Sequence, residues 1–231
     1  MKNTLLITAT DTEVGKTVLT TALIAYWQTY CSSRRLGVFK PIQAGIGDRE
    51  RYTELFSLDQ SLEEINPLYF QAPLAPPVAA EQEGRLIDLA SVWSSFLSLK
   101  NQRDFVIVEG LGGLGSPITN ELIVADLARD WQIPTVLVVP VQLGAIGSAV
   151  ANVALARQMG VYLRGIILNC NQPTTIEEQE KLTPIELIQS LTQTQVLGVI
   201  PYLENLDNIS KLAKIGANLD LEFILSEIQY Y

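Results

Sequence analysis

Apolar positions along the chain fall into two alternating kinds of run. Short stretches that are apolar at nearly every position read as strands buried on both faces: "TLLITA" (4–9), "RLGVFKPI" (35–42), "DFVIVEG" (104–110), "PTVLVVPV" (134–141), "LRGIILNCN" (163–171) and "QVLGVIP" (195–201). Between them lie longer stretches whose apolar residues recur at helical spacing, at 16–30, 86–99, 121–131, 144–160 and 174–193, and in parts of 208–229. Gly160 closes the fourth of these. The segment 45–85 follows neither period and is expected to carry loops and short helices. Strand–helix alternation of this kind predicts an α/β fold in three layers, a central, mostly parallel sheet flanked by helices. Its length suits a single domain over 1–231. Ligands of such folds gather at the carboxyl ends of the strands. The polar motifs of this chain all fall there: "TDTEVGKT", "KPIQAG", "EGLGG", "PVQLG", "NCN" and "PYLEN".

Composition narrows the chemistry. The net charge is −9 and no basic run occurs, which argues against nucleic acid and for small-molecule substrates. No apolar stretch reaches the roughly 20 residues of a membrane helix. The start "MKNTLLITATD" has only a strand-length apolar run and no cleavage-like region, so a cytoplasmic, membrane-free protein is expected. Cys31 and Cys170 lie far apart without a C-x-x-C partner and read as reduced thiols. The absence of histidine excludes Ser-His-Asp and Cys-His catalysis and histidine metal sites. Proton transfer is left to carboxylates, lysine, water or the substrate.

"ATDTEVGKT" lies between a strand and a long helix. The strict phosphate-loop pattern G-x-x-x-x-G-K-[ST] calls for glycine at position 10, where the chain has Thr10. Gly15 still permits close backbone approach, and the amides of Gly15, Lys16 and Thr17 would point into the loop at a helix N-terminus, which favours phosphate. Lys16 would reach the β and γ phosphates and Thr17 would hold Mg²⁺. The bland reading is a strand–turn–helix with an accidental Gly-Lys-Thr. Asp11, Thr12 and Glu13 put polar side chains near a γ-phosphate, which suggests a loop that also handles an acceptor. Lys40, one of seven lysines, ends a strand before Pro41. It is either a strand-end lysine snorkelling to water or a second cation aimed at a transferring phosphoryl group. Glu109, at the end of a buried strand, reads as a Mg²⁺ carboxylate or as a turn-forming glutamate. Gly110, Gly112 and Gly113 allow close approach or simply make a turn. Asp48 and Glu50 are weaker metal candidates, each also readable as a solvated loop charge.

Together "TDTEVGKT" (10–17), "KPIQAG" (40–45), "VEGLGG" (108–113), "VPVQLGAIG" (139–147), "ILNCN" (167–171) and "VIPYLEN" (199–205) resemble dethiobiotin synthetase, in that family's order and over most of the chain. The family's phosphate loop has one extra residue before Gly-Lys-Thr, so its leading glycine falls on Ala9. The resemblance implies a P-loop NTPase-type fold and an ATP-dependent cyclo-ligase. It would close a ureido ring on 7,8-diaminononanoate with CO₂ and Mg-ATP, through a carbamate, formed on the 7-amine, and a carbamic-phosphoric anhydride. On this resemblance Lys16, Lys40 and Thr12 are catalytic. Thr17, Asp48 and Glu109 form the Mg²⁺ shell. Glu13, Val14, Gly15, Lys16, Thr17 and Val18 would cradle the phosphates beside Glu109, Gly110, Gly112 and Gly113. Asn169 would read the adenine, with Pro201, Tyr202 and Leu203 around the ring. Thr12, Lys40 and Ala44 would face the diamine. Leu143, Gly144, Ala145, Ile146 and Gly147 would meet the carboxylate tail of a substrate bound across a homodimer.

Three positions depart from the family: Ala9 for glycine, Ala44 for Ser or Thr, and Gly147-Ser148 for Asn-His. An alanine at position 9 requires extended backbone there. The rival readings are a cobyrinate-type amide ligase, which needs a glutaminase domain and a Cys-His pair that this chain lacks, a ParA- or MinD-like switch ATPase, which carries a second lysine inside its phosphate loop, and a degenerate, non-catalytic homologue, against which the retention of both lysines and Glu109 argues.

Overall fold

A computed structural model describes residues 3–225. In chain order the first half holds β1 (Thr4–Ala9), α1 (Lys16–Tyr30), β2 (Leu36–Phe39), β3 (Ile42–Ala44), α2 (Asp48–Leu55), α3 (Leu62–Ile65), β4 (Leu68–Phe70), α4 (Pro76–Gln82), α5 (Leu89–Gln102) and β5 (Phe105–Glu109). The second half holds α6 (Val124–Asp130), β6 (Thr135–Pro140), α7 (Ala145–Met159), β7 (Leu163–Asn169), α8 (Ile176–Leu182), α9 (Ile185–Thr192), β8 (Val196–Ile200), α10 (Ile209–Ala217) and α11 (Leu221–Ile224).

Six strands form one parallel sheet in the order β2-β5-β1-β6-β7-β8. Successive side chains of a strand point to opposite faces, and the core divides accordingly. Leu5 and Ile7 of β1, Phe105 and Ile107 of β5 and Val136 and Val138 of β6 pack on one side with Leu19 and Leu23 of α1 and Leu212 of α10. Leu6, Val106 and Val108 face the other side, against Phe96 of α5 and Val124 of α6. Leu137 and Val139 also face that way, against Ala149 and Val153 of α7. Three layers result, as the alternation predicts. Gly216 lets α10 lie against α1, since a methyl there would come within 2.7 Å of the Ala22 carbonyl oxygen. Among the described residues no helix is long and apolar enough to cross a membrane.

Besides shifts of a few residues at element ends, three segments differ from the expected ones. The strand expected over 35–42 breaks after Phe39. Pro41 has no N–H for a ladder, and the Lys40 backbone is instead taken up by Ile65 and Asn66: its N–H donates to the Ile65 carbonyl at 2.7 Å and its carbonyl accepts from Asn66 Nδ2 at 2.7 Å. The chain then pairs β3 with β4 in a separate two-stranded parallel sheet. The helix expected over 174–193 is two, because Pro184 cannot continue α8 and instead starts α9. The segment 45–85 holds the expected short helices and also β4, which its short apolar run did not reveal. Within the expected helical tail, α10 and α11 form, and positions 226–229 lie outside the described residues.

Candidate functional site

The site begins where β1 ends. Ala9 is the last residue of that strand and its φ is not positive, so it is extended as its methyl requires. Glu13 (φ 58°) and Gly15 (φ 105°) then turn the chain into α1. Gly15 offers no side-chain cap. The first amides of α1 therefore face the loop without an intrahelical acceptor, a ready anion site. Asn169, from the end of β7, lies over Gly15, where a Cβ would come within 2.1 Å of its amide nitrogen. That amide donates to the Val14 carbonyl at 3.1 Å, and Asn171 donates to the Glu13 carbonyl at 3.1 Å. Two carboxamides thus brace the loop from a neighbouring strand.

Lys16, Thr17, Lys40, Asp48 and Glu109 converge beneath this loop. Lys40 is 3% exposed and Glu109 fully buried. Lys40 spends its three N–H donors on Asp48 Oδ2, on Glu109 Oε1 at 2.9 Å and on the Gly110 carbonyl at 3.2 Å. The Thr17 hydroxyl lies 2.7 Å from Asp48 Oδ1 and 3.2 Å from Glu109 Oε1. The Tyr52 phenol donates to Glu109 Oε2. Two ammonium groups thus face two carboxylates. Burial pulls the Lys40 ammonium toward lower pKa, but Glu109 and Asp48 outweigh it and hold it above its ordinary value. Burial pushes the Glu109 carboxyl upward against the pull of Lys40, and Asp48 adds to the rise. Asp48 itself is held down to about 2: burial opposes ionisation, and Lys40 more than compensates.

Lys16 is different. It is 7% exposed, and its ammonium donates to the Asp11 carbonyl at 3.1 Å. Burial lowers it to about 8, because Glu109, Asp48 and Asp11 restore only part of what desolvation removes and Lys40 repels it. A buried ammonium at a helix N-terminus is placed to meet an anion.

Lys16, Thr17, Lys40 and Asp48 open on a cavity of about 710 Å³, walled by polar Thr12, Glu13 and Gln43 and by an apolar lip that includes Ile46, Leu74 and Pro117, while Glu109 stays buried behind Thr17 and Lys40. Ala44 lines it too. So does Gly112, whose φ of 51° and whose contact with Ser116 leave no room for a side chain. Gly113 packs so closely that a methyl would meet the Thr10 carbonyl at 2.8 Å.

Other expected site residues contribute no side chain to the cavity. Val14 is buried in the core and Val18 packs against it. Pro201 is exposed and Tyr202 and Leu203 half-buried, beyond β8 beside Asn169. In the segment 143–147, Leu143 is 90% exposed, Gly144 turns with φ 87° and Ala145 is buried at the start of α7. None of these five lines the charged cavity. Glu50, a weaker metal candidate, faces away from Thr17: it accepts from the Gly47 N–H at 3.0 Å and from Gln43 at 2.8 Å and pairs with Arg49.

Sequence reasoning missed Tyr52, Gln43 and Asn66. The signal for Tyr52 was its position four residues after Asp48. On a helix that spacing puts both on one face, but 45–85 shows no helical apolar pattern that announces α2.

Residues 3–210 match the family model of an AAA domain. The chain is 59% identical to the ATP-dependent dethiobiotin synthetase of Gloeothece citriformis over 221 residues, 96% of this chain and 98% of that one. It is 58% identical to the synthetase of Crocosphaera subtropica, with 96% and 99% covered, and 32% identical to that of Bacillus subtilis, with 96% and 97% covered. In three dimensions it is similar to the MinD septum site-determining protein of Pyrococcus horikoshii complexed with Mg-ADP. That match has a TM-score of 0.57 and 15% identity, covering 99% of this chain and 97% of that one. The MinC:MinD cell division protein complex of Aquifex aeolicus gives a TM-score of 0.57 at 17% identity, covering 95% and 87%. At such identities the likeness concerns the fold alone.

Proposed function

Because this chain belongs to the family of ATP-dependent dethiobiotin synthetases, we propose that its charged cavity is where a carbamate of 7,8-diaminononanoate takes the γ-phosphoryl group of ATP. The family activity is that of an ATP-dependent ligase of biotin biosynthesis. What supports placing the reaction here is the convergence of Lys16, Thr17, Lys40 and Asp48 on one cavity beside an uncapped helix N-terminus, with buried Glu109 held directly behind Thr17 and Lys40.

The chemistry needs little acid–base help, which fits a chain without histidine. One amine adds to CO₂ and loses a proton, giving a carbamate. A carbamate oxygen attacks the γ-phosphorus and ADP leaves. The second amine attacks the carbamoyl carbon, loses its proton to water and expels phosphate as the ring closes. Catalysis is then positioning and charge neutralisation. Lys16, buried at the helix N-terminus, would pair with the entering phosphates. Lys40 exchanges one of its present acceptors for an oxygen of the transferring group. Thr12 and Glu13, exposed on the cavity rim, face the diamine. The amides from Glu13 to Val18 would hold the phosphates, with Gly112 on the cavity wall and Gly110 and Gly113 letting the turn behind it pack close to Ile7 and Thr10.

The Thr17 hydroxyl and the Asp48 and Glu109 carboxylates are hard oxygen donors of the kind Mg²⁺ takes. No cluster of three or more His, Cys, Asp or Glu side chains forms among the described residues, so phosphate oxygens and water would complete the shell. Bound there, Mg²⁺ would neutralise charge on the β and γ phosphates. Asn169 Oδ1 is buried without a hydrogen-bond partner, and the exocyclic amine of an adenine is a donor of the type that would complete it, with Pro201, Tyr202 and Leu203 nearby. Leu143 to Gly147, outside the cavity, would serve the substrate carboxylate of a second subunit in a homodimer. The compartment in this reading is the cytoplasm.

Incubation with diaminononanoate, bicarbonate and Mg-ATP should yield the cyclic urea, read by mass. ATP hydrolysis with no such product at any diamine concentration would sink the proposal.

A further inference from the structure

We infer that Tyr52 is a positioning residue: its buried phenol fixes the Glu109 carboxylate, and with it the end of α2 that carries Asp48, in the arrangement a divalent cation requires. The inference rests on the proposed metal role of Thr17, Asp48 and Glu109 and adds to it a residue outside that set.

Glu109 has two oxygens with different neighbours. Oε1 is shared by Lys40 at 2.9 Å and by Thr17 at 3.2 Å, both of which line the cavity. Oε2 accepts from the Tyr52 phenol. Both Tyr52 and Glu109 are fully buried, so no water competes for that bond. With Oε2 held from behind, the plane of the carboxylate is set and Oε1 is the oxygen presented toward Thr17. Hydrogen-bond partners of ligating carboxylates orient them in this way.

Tyr52 and Asp48 are one turn apart on α2. At that spacing their side chains lie on the same face of a helix. A single short helix therefore delivers both a carboxylate and a phenol to one site. The bond from Tyr52 to Glu109 also ties α2 to β5, so the distance between the Asp48 and Glu109 carboxylates is fixed from the same anchor. The tyrosine ring packs in the core with Phe56 and Ile65, and a phenylalanine retains that packing while losing only the donor.

The test is ADP affinity, measured by calorimetry on the full chain with Mg²⁺ and again with a chelator. Wild type should bind ADP more tightly with Mg²⁺. Tyr52→Phe should lose about tenfold or more of that enhancement, with unchanged affinity in chelator, which also shows that the variant is folded. A purely structural ring would leave the enhancement intact. An enhancement in Tyr52→Phe equal to wild type, while Glu109→Gln loses it, overturns the role of Tyr52 alone. An enhancement unaffected by Glu109→Gln, or absent from wild type, overturns the metal shell and this inference together.

Discussion

The carboxyl edge of the sheet has two halves that are built differently. On the β2-β5-β1 side, Lys40, Glu109 and Tyr52 are buried, every donor of Lys40 is engaged and α2 is pinned to β5. On the β6-β7-β8 side, Leu143 and Gly147 are exposed, no atom lies within 4 Å of where a Gly147 side chain would start, and Pro201 is exposed. Burying opposed charges is a poor route to stability, because desolvation consumes much of the attraction. Its use is preorganisation: charges already dry and oriented need not reorganise when charge develops on a phosphoryl group. The contrast teaches that the residues proposed to handle the phosphoryl group are largely buried and mutually bonded, whereas Leu143, Gly144 and Gly147, proposed for the carboxylate tail, and Pro201 beside the proposed base site, lie at the surface around buried Asn169.

The contrast yields a ranked set of expected outcomes. The largest is for Lys40→Ala, which should lower turnover by about 10³-fold while ADP binding stays nearly intact. Normal turnover by this variant would remove Lys40 from the mechanism. Gly15→Ala comes next. Its φ is strained for a side chain, and the methyl would collide with the Asn169 amide, so ADP affinity should fall by at least about tenfold, read by calorimetry. Gly147→Asn, and Ala44→Ser in the closed half, each restore a polar group typical of the family. Each should lower KM for the diamine about fivefold, the value of about 1 kcal/mol for one hydrogen bond; no change would mean that water already fills the position. The smallest effect is at Glu83, which does not line the cavity. The Ala72 amide, joined by that of Gln71 and by Arg85, holds the Glu83 carboxyl below its usual range. Its stabilising contribution is present above the ordinary glutamate value of about 4.3 and is lost as pH falls through the depressed folded value. Acidification should therefore lower the Tm of wild type more than that of Glu83→Gln.

The sheet and the first loop were legible in the sequence because both write themselves locally. A strand buried on both faces is a short apolar run, and "TDTEVGKT" is a turn into a helix. Lys40 and Glu109 were legible for the same reason, as charges at the ends of such runs. The role of Tyr52 was not, because it depends on a helix without an apolar stripe that packs Tyr52 against a strand 57 positions later. The break after Phe39 was hidden because Asn66, which captures the Lys40 carbonyl, is 26 residues away. Nor did the sequence convey that Asn169 presses on Gly15 and braces the phosphate loop. What was lost in each case is a long-range contact made by a residue whose local pattern is ordinary.

Whether a carbamate oxygen receives the γ-phosphoryl group in the Lys16–Lys40 cavity can be read from the fate of an isotope. With bicarbonate labelled in oxygen-18 and turnover followed faster than exchange with water, the phosphate released should carry one labelled oxygen per ring formed, and Lys40→Ala should release almost none. Unlabelled phosphate accompanying the cyclic urea would contradict the account, because ring closure would then not pass through phosphorylated carbamate.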